Sequence, residues 1–238
     1  LIIGKFFSVE EVAIYANAAR EMPVTIIASS LSSVLMPKLA KLLKENRNEE
    51  AVKIWKNSIV LSYILICLFS CGLFVFAPEV ITILYSKKYL PGVEVFRIYS
   101  LVLLLRVTYF GMILNAIGKT KFIFYSSLAS LGLNLVLNYW FYLTLGFIGP
   151  SIATFISIFL VQLYQLIATS FLIKIELKNL FPWKEVCVIT IINIIMGIVF
   201  GYIKSVMPDK LLSGEIIESI ILGGLWVVVY FLIMRKQI

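Results

Sequence analysis

Long apolar runs, not the three-to-four-residue spacing of an amphipathic helix, dominate the pattern along this chain. Residues 57–78 and residues 122–173 contain no charged side chain. A helix of roughly 20 apolar residues crosses a hydrocarbon core of ~30 Å, so the first run supplies one crossing. The second run has 52 residues and supplies two crossings joined by the turn "GFIGP" at 146–150. The pattern predicts an all-α, polytopic transmembrane helix bundle.

Extending the same criterion to the whole chain predicts about seven full spans and the end of another. The first residues, "LIIGKFF", are already apolar and show no methionine start or signal peptide. We therefore expect the chain to be a piece of a longer protein. The predicted spans are residues 12–37, 57–78, 94–117, 122–145, 149–172, 186–204 and 215–234.

Composition supports a membrane protein and excludes several kinds of active site. Hydrophobic residues make up 61% of the 238 residues and charged residues 14%, whereas soluble domains carry roughly 25% charged residues. The chain has no histidine, which excludes a Ser-His-Asp triad, a Cys-His pair and a histidine-ligated metal. Because the loops are also too short to hold an active site, we expect no enzymatic activity, no cofactor and no metal.

The basic residues are unevenly distributed between the two sides of the predicted bundle. The net charge of +8 would favour nucleic acid in a soluble protein, but these residues lie mostly between spans, so we expect no nucleic-acid partner. Cytoplasmic loops carry the excess of Lys and Arg, which predicts a cytoplasmic C-terminus and an amphipathic cytoplasmic helix over 38–56. The thirteen basic residues on the cytoplasmic side are Lys38, Lys41, Lys44, Arg47, Lys53, Lys56, Lys119, Lys121, Lys174, Lys178, Lys184, Arg235 and Lys236. The five on the other side are Lys5, Lys87, Lys88, Lys204 and Lys210.

Arg106 is the most unusual residue, because it lies near the middle of the predicted span 94–117. Polar side chains inside a membrane face protein or a water-filled cavity. At 100° per residue, Arg106 shares a helical face with Tyr99 and Tyr109 and lies opposite a small and polar stripe that includes Ser100. Two explanations remain open: a wet cavity that binds a substrate, or a buried structural ion pair.

Other spans carry polar residues that fit either a cavity or helix packing. In the first span, Pro23 interrupts a continuous small and polar face, which indicates either tight packing or a bent, cavity-lining helix. Interhelical hydrogen bonds are the simplest explanation for polar residues on the fourth and fifth spans. The candidate substrate-binding residues are Arg106, Arg20, Tyr109, Tyr99, Asn17, Glu21, Asn134 and Gln165.

Several segments together resemble the polysaccharide and oligosaccharide flippase family. That family includes the Wzx-type O-antigen flippases and belongs to the superfamily shared with MATE exporters and the lipid II flippase. The matching segments occur in the family's order. They are "FFSVEEVAIYANAAREMPV" (6–24), "SSVLMPKLAKL" (32–42), "FAPEVITILYSKKYLPGVEVFRIYSLVLLLR" (76–106), "NAIGKTK" (115–121) and "LNLVLNYWFYLTLGFIGPSIAT" (133–154).

The resemblance implies a MATE-like fold of two bundles, of which this chain holds the C-terminal one. Residues 1–172 would form a six-helix transport bundle with a truncated first helix, and residues 173–238 two additional transmembrane helices. The missing N-terminal bundle of the same protein and membrane lipids would be the partners. The implied location is a bacterial or archaeal plasma membrane, with many spans and the C-terminus in the cytoplasm.

The resemblance also implies a substrate and a mechanism. The substrate would be an oligosaccharide linked to undecaprenyl pyrophosphate, moved across the membrane by alternating access between the two bundles. Arginine suits such a substrate because its planar guanidinium binds phosphate oxygens in pairs and keeps its charge when desolvated. The resemblance supplies the substrate class, whereas the residues themselves supply only a cation at mid-depth.

Two other classes of function compete with this one. A MATE-type exporter of small cationic molecules would share the fold, but it would favour acidic residues deep in the bundle, and among the acids only Glu21 fits. A non-catalytic membrane subunit is disfavoured by polar residues on several spans. A membrane-bound polymerase or ligase would need larger external loops.

The charge asymmetry makes a testable prediction about topology. Cysteines that replace Asn48 and Asn179 in a cysteine-free, full-length protein should be shielded from membrane-impermeant thiol reagents on intact cells, because both positions lie in loops assigned to the cytoplasm. A cysteine at Ser213 is the external control and should react. Modification at position 48 or 179 would overturn the assigned orientation.

Overall fold

The structure is a computed structural model that describes residues 7–20, 22–206 and 215–235, with side chains in the last range from residue 220 onward. This described part is α-helical and contains no strand, which confirms the all-α prediction. Its helices, in chain order, are α1 (Val9–Ala18), α2 (Ile26–Lys44), α3 (Asn48–Val75), α4 (Ala77–Tyr85), α5 (Val93–Leu105), α6 (Met112–Ala116), α7 (Thr120–Leu145), α8 (Gly149–Ile173), α9 (Leu177–Leu180), α10 (Trp183–Val206) and α11 (Glu215–Met234).

Four helical stretches of the described chain are long and apolar enough to cross a membrane. They cover 9–44, 48–75, 120–173 and 183–206, and the helix 220–234 is a shorter apolar one. The stretch 120–173 has 54 residues, about twice the length of one crossing. The chain is thus a multi-pass membrane protein, and the count of seven spans stays a prediction.

The hairpin formed by α7 and α8 agrees with the predicted boundaries. A single 3-10 turn, Gly146–Ile148, joins the two helices. Gly146 has φ +61°, a left-handed conformation that glycine adopts without steric cost. A side chain at Gly149 would collide with the backbone carbonyl of Phe141 on the opposite helix. Both glycines therefore permit a sharp reversal and a close approach of the two helices.

The first predicted span is divided, as its proline indicated. Helix α1 ends at Ala18, and Pro23 is the first residue of a 3-10 turn that leads into α2. Proline cannot donate a backbone hydrogen bond and favours the first turn of a helical segment. The separate amphipathic helix predicted over 38–56 is wrong, because α2 continues to Lys44 and α3 begins at Asn48.

Helix α3 lies at the centre of the bundle and packs against α2, α5, α10 and α11. Trp55, Ile59 and Ile66 of α3 are completely buried. Because lipid is as apolar as the core of the bundle, the helices are held together largely by close packing. Large, fully buried side chains such as these contribute most of that packing. The position of α3 makes it the helix against which α2, α5, α10 and α11 are placed.

The last two long helices are fastened to α3 by polar side chains. The hydroxyls of Tyr63 and Thr190 lie 2.6 Å apart and join α3 to α10. On α11, Tyr230 donates its hydroxyl hydrogen to the carbonyl of Ile64 at 2.6 Å, and Trp226 Nε1 donates to the carbonyl of Leu68 at 3.3 Å. These contacts fix α10 and α11 on the α3 side of the bundle. The division into residues 1–172 and 173–238 stays a prediction.

An ion pair adds a further attachment at the end of α10. The Nζ of Lys204 lies 2.6 Å from Oε1 of Glu79 on α4, and it lies 5.7 Å from the ring centre of Phe76. Both charged side chains are more than two-thirds buried. The pair therefore links the end of α10 to the junction between α3 and α4.

Replacing Tyr230 with Phe should weaken the attachment of α11 without changing its packing. The variant loses the hydrogen bond to Ile64, and interhelical hydrogen bonds in membranes contribute about 0.6 kcal/mol on average and at most ~1.7 kcal/mol. We expect the free energy of unfolding in mixed micelles to fall by that amount. Tyr202→Phe is the matched control, since Tyr202 is 69% exposed. Equal stability of both variants would contradict the proposed attachment.

Candidate functional site

The predicted span 94–117 is not one helix, and its interruption begins at Arg106. Helix α5 ends at Leu105, and the next helix, α6, begins at Met112. The intervening sequence "RVTYFG" contains two β-branched residues, two aromatics and a glycine, all weaker helix formers than leucine. The prediction of one continuous helical face from Tyr99 through Arg106 to Tyr109 is therefore wrong, because the helix ends before Tyr109.

The interrupted backbone is held by two side chains from other helices. Nε2 of Gln162 on α8 donates to the carbonyl of Leu105 at 2.6 Å. Nε1 of Trp55 on α3 donates to Oγ1 of Thr108 at 3.1 Å. Non-helical backbone at membrane depth is tolerated where protein or a water-filled cavity satisfies its polar groups. Gln162 thus satisfies a backbone carbonyl where the chain leaves the helix, and Trp55 holds the segment through the side chain of Thr108.

A cavity of about 1000 Å³ opens beside the interruption. Its walls come from α2, from the interrupted segment and from α8. Thirteen of its lining residues are small, hydroxyl-bearing, amide-bearing, aromatic or charged: Thr25, Ala28, Ser29, Ser32, Ser33, Pro37, Ala40, Arg106, Thr108, Tyr109, Phe110, Gln162 and Gln165. The remaining lining residues are apolar: Ile26, Met36, Ile158 and Val161.

Arg106 gives this cavity its charge. Among the residues that the structure describes, it is the only charged one in the wall, and its side chain is exposed. The other polar groups are neutral. Ser29 and Ser33 donate their hydroxyl hydrogens to the backbone carbonyls of Ile26 and Ser29, at 3.0 and 2.9 Å. Their oxygens thus keep acceptor capacity. The cavity combines one cation with neutral hydrogen-bonding groups.

Two further predicted site residues, Tyr109 and Gln165, line the same cavity as Arg106. Tyr109 belongs to the interrupted segment and is 39% exposed. Gln165 lies on α8 and is buried, and its Nε2 donates to Oγ of Ser126 at 3.1 Å. The structure thus brings three of the eight predicted residues together.

Three other predicted residues lie elsewhere in the described chain. Tyr99 is half-buried and packs against the cluster that contains Tyr15 and Phe96. Asn17 donates to the carbonyl of Ala13 within its own helix at 3.0 Å. Arg20 is exposed beyond the end of α1. None of the three lines the cavity, and their predicted role in substrate binding stays a prediction.

Asn134 and Glu21 complete the predicted set. Nδ2 of Asn134 on α7 lies 3.4 Å from Oγ of Ser157 on α8, and its Oδ1 accepts from Asn138 at 2.8 Å. This agrees with the interhelical hydrogen bonding considered for this face. Glu21 lies outside the described residues, so the ion-pair alternative for Arg106 stays a prediction.

Sequence reasoning did not select three side chains that shape the site. Gln162, Thr108 and Trp55 hold the interrupted segment. An amide within a 52-residue uncharged run signals that Gln162 needs a partner, but that partner is a backbone carbonyl 57 residues away. A pattern of residue types cannot reveal such a contact. Within the described residues, no group of three or more potential metal-ligating side chains occurs.

Comparison with known proteins gives a consistent result. The sequence model of the family described as "Lipid II flippase MurJ" matches residues 1–222. A probable low-salt glycan biosynthesis flippase of Haloferax volcanii, Agl15, is 24% identical over 216 residues, which cover 89% of this chain and 45% of that protein.

A solved structure shares the fold. It is a lipid II flippase MurJ in an inward closed conformation, which superposes with a TM-score of 0.75 at 21% identity over 99% of this chain and 50% of its own. The chain thus spans about half the length of the relatives that it matches.

The charge of the cavity can be tested with thiol chemistry. A single cysteine replaces Ser33 in a cysteine-free, full-length protein, and its reaction rates with an anionic and a cationic methanethiosulfonate are measured. We expect the ratio of the anionic rate to the cationic rate to be higher for this cysteine than for a free thiol in solution. One charge at ~8 Å in a wet site changes this ratio about two- to fivefold. Adding Arg106→Gln should abolish the preference. Ser62→Cys, at a buried position on α3, should not react, and an unchanged ratio without Arg106 would refute the assignment.

Proposed function

Because the chain belongs to the lipid II flippase MurJ family, we propose that it forms the C-terminal half of a flippase for lipid-linked oligosaccharides. The substrate we propose is an oligosaccharide repeat unit on undecaprenyl pyrophosphate, moved across the plasma membrane. Members of this family are transporters, not catalytic enzymes. The chain therefore acts by binding and moving a substrate.

The observation that supports the proposal best is the position of Arg106. Its side chain is exposed in a polar cavity of about 1000 Å³, at the end of a helix of 13 residues. Such a helix is roughly 20 Å long, so if it begins at the membrane surface it places Arg106 well inside a ~30 Å hydrocarbon layer. A guanidinium is a strong partner for phosphate oxygens because its hydrogen bonds to them are charge-assisted and paired. Arg106 is therefore proposed to bind the pyrophosphate.

The neutral wall of the cavity suits the sugar part of the substrate. Serine hydroxyls on α2 and the amide of Gln165 on α8 offer acceptors and donors without adding a charge. Sugar hydroxyls both donate and accept hydrogen bonds. Such bonds to the cavity wall replace the hydrogen bonds to water that the sugar loses when it is buried. Gln165 and Tyr109 are the residues of this wall that the sequence had already selected.

A second bundle is part of the proposal. The relatives are about twice as long as the region that matches, and the cavity wall is formed here from one bundle. The missing N-terminal bundle would supply the opposite wall, and alternating access would arise from movement between the two. In this arrangement the C-terminus is cytoplasmic and the anionic substrate is loaded from the side rich in basic residues.

A MATE-type exporter of cationic molecules is the competing function. Such a substrate needs a buried acid, because a cation in a low-dielectric site is stabilised by a negative charge. The described part of the cavity wall contains no aspartate or glutamate. This composition favours an anionic substrate.

Substitution of Arg106 tests the proposal. Export of lipid-linked glycan should decrease from arginine to lysine and further to glutamine or alanine, because lysine keeps the charge but loses the paired donors. One charge-assisted contact contributes roughly 1.5–3 kcal/mol, so its loss should weaken substrate binding about ten- to a hundredfold. The measurement is glycan export, with the abundance of the protein in the membrane determined in parallel.

The same experiment distinguishes a structural ion pair from a binding site. If Arg106 serves only to pair with an acid, Arg106→Ala should mainly lower abundance, because it leaves a buried partner without its charge. A second substitution that removes the acid, Glu21→Gln, should then restore abundance. Normal abundance together with normal export in Arg106→Ala would refute both roles.

A further inference from the structure

The end of α5 is capped by a side chain from another helix. The last four carbonyls of a helix have no partner within it, and α5 ends inside the protein at Leu105. The carbonyl of Leu105 accepts a hydrogen bond from Nε2 of Gln162 at 2.6 Å. The donor lies 57 residues further along the chain. The direction of this carbonyl is therefore set by α8.

The capped carbonyl belongs to the same planar peptide group as the nitrogen of Arg106. On its other side, the nitrogen of Arg106 donates to the carbonyl of Leu103 at 2.9 Å. Both polar atoms of this peptide group thus have partners, and the plane cannot rotate without losing one of them. The side chain of Arg106 leaves the backbone directly after this plane.

The chain is also held on the far side of Arg106. Trp55 is completely buried and donates to the hydroxyl of Thr108 at 3.1 Å. Its ring lies edge-on to Phe110 with 6.5 Å between centroids, and Phe110 stacks on Phe181 at 5.9 Å. Arg106 therefore lies between two fixed points, Leu105 and Thr108, in a segment that has no helix of its own.

From this geometry we propose that Gln162 is a positioning residue for the transport reaction. By capping the carbonyl of Leu105, it fixes the peptide group from which Arg106 extends into the cavity. This inference rests on the proposed function of Arg106 as the group that binds the pyrophosphate. Gln162 itself contributes orientation, and its effect on transport passes through Arg106.

A direct role of Gln162 in sugar binding is the alternative, because its side chain also lines the cavity. The hydrogen bond to Leu105 uses one N–H of Nε2 and leaves the second N–H and Oε1 able to bond a sugar hydroxyl. The two roles differ in their dependence on Arg106. A positioning residue has no effect once Arg106 is gone, whereas a sugar-binding residue acts independently of Arg106.

The test uses the full-length protein with the substitutions Gln162→Leu and Gln162→His, each alone and combined with Arg106→Gln. Leucine removes the donor, and histidine keeps an N–H donor. The first measurement is amide hydrogen exchange of peptides that cover residues 103–112 in the purified protein. The second is lipid-linked glycan export, corrected for abundance. Thr190→Val is the matched control, because it removes a different interhelical hydrogen bond, to Tyr63, away from the cavity.

We expect Gln162→Leu to accelerate exchange over 103–112 and to lower export about two- to tenfold, the usual effect of one net hydrogen bond. Gln162→His should restore most of the protection from exchange and most of the export. Thr190→Val should change neither the exchange rate over 103–112 nor the export. In the Arg106→Gln background, Gln162→Leu should have no further effect on export.

Two results would overturn the inference. Unchanged exchange in Gln162→Leu would show that the cap does not hold the segment, whatever Arg106 binds. An equal decrease of export with and without Arg106 would show that Gln162 acts by itself. Failure of the proposed function gives a different result: Arg106→Gln would then export normally at normal abundance, while Gln162→Leu would still accelerate exchange.

Discussion

The requirement that every backbone polar group in a membrane has a partner determines most of this structure. In water, the ends of α5 and α6 would be solvated, but the hydrocarbon layer offers no donor. The carbonyl of Leu105 is satisfied by Gln162 of α8, and Thr108 is held by Trp55 of α3. The interruption is therefore tolerated because Gln162 gives a backbone carbonyl its partner, while Trp55 fixes the segment through the side chain of Thr108.

The same requirement explains where polar side chains occur in the rest of the bundle. Tyr63 and Thr190 pair with each other, and Tyr230 and Trp226 donate to carbonyls of α3. Each contact joins helices that apolar packing alone would leave free to slide, because lipid tails solvate leucine as well as another helix does. The polar residues thus determine how the helices are arranged, whereas the apolar residues determine only that a helix bundle forms.

The sequence was sufficient for the fold class and for most helix boundaries, because these depend on local hydropathy and on glycine and proline. The hairpin around Gly146 and the break at Pro23 are examples. It was insufficient for the third predicted span, because the charge at Arg106 and the weak helix formers after it were assigned to one continuous helix, whereas the structure interrupts the helix at 106–111. The decisive contact is the tertiary hydrogen bond between Gln162 and Leu105, and neither residue indicates from the sequence which partner it has. For the site, the unusual charge drew attention to Arg106, which lines the cavity, whereas Tyr99 packs against the cluster that contains Tyr15 and Phe96, a contact that hydropathy does not reveal.

The separation of 57 residues between Leu105 and Gln162 has a consequence for biosynthesis. Ribosomes add ~5–20 residues per second, so roughly 3–11 s pass between the synthesis of the acceptor and that of its donor. During this interval α6, all of α7 and the first half of α8 are made, but the cap of Leu105 does not yet exist. The cap is therefore acquired when α8 joins the assembly, so until then the end of α5 depends on its own weak helix formers.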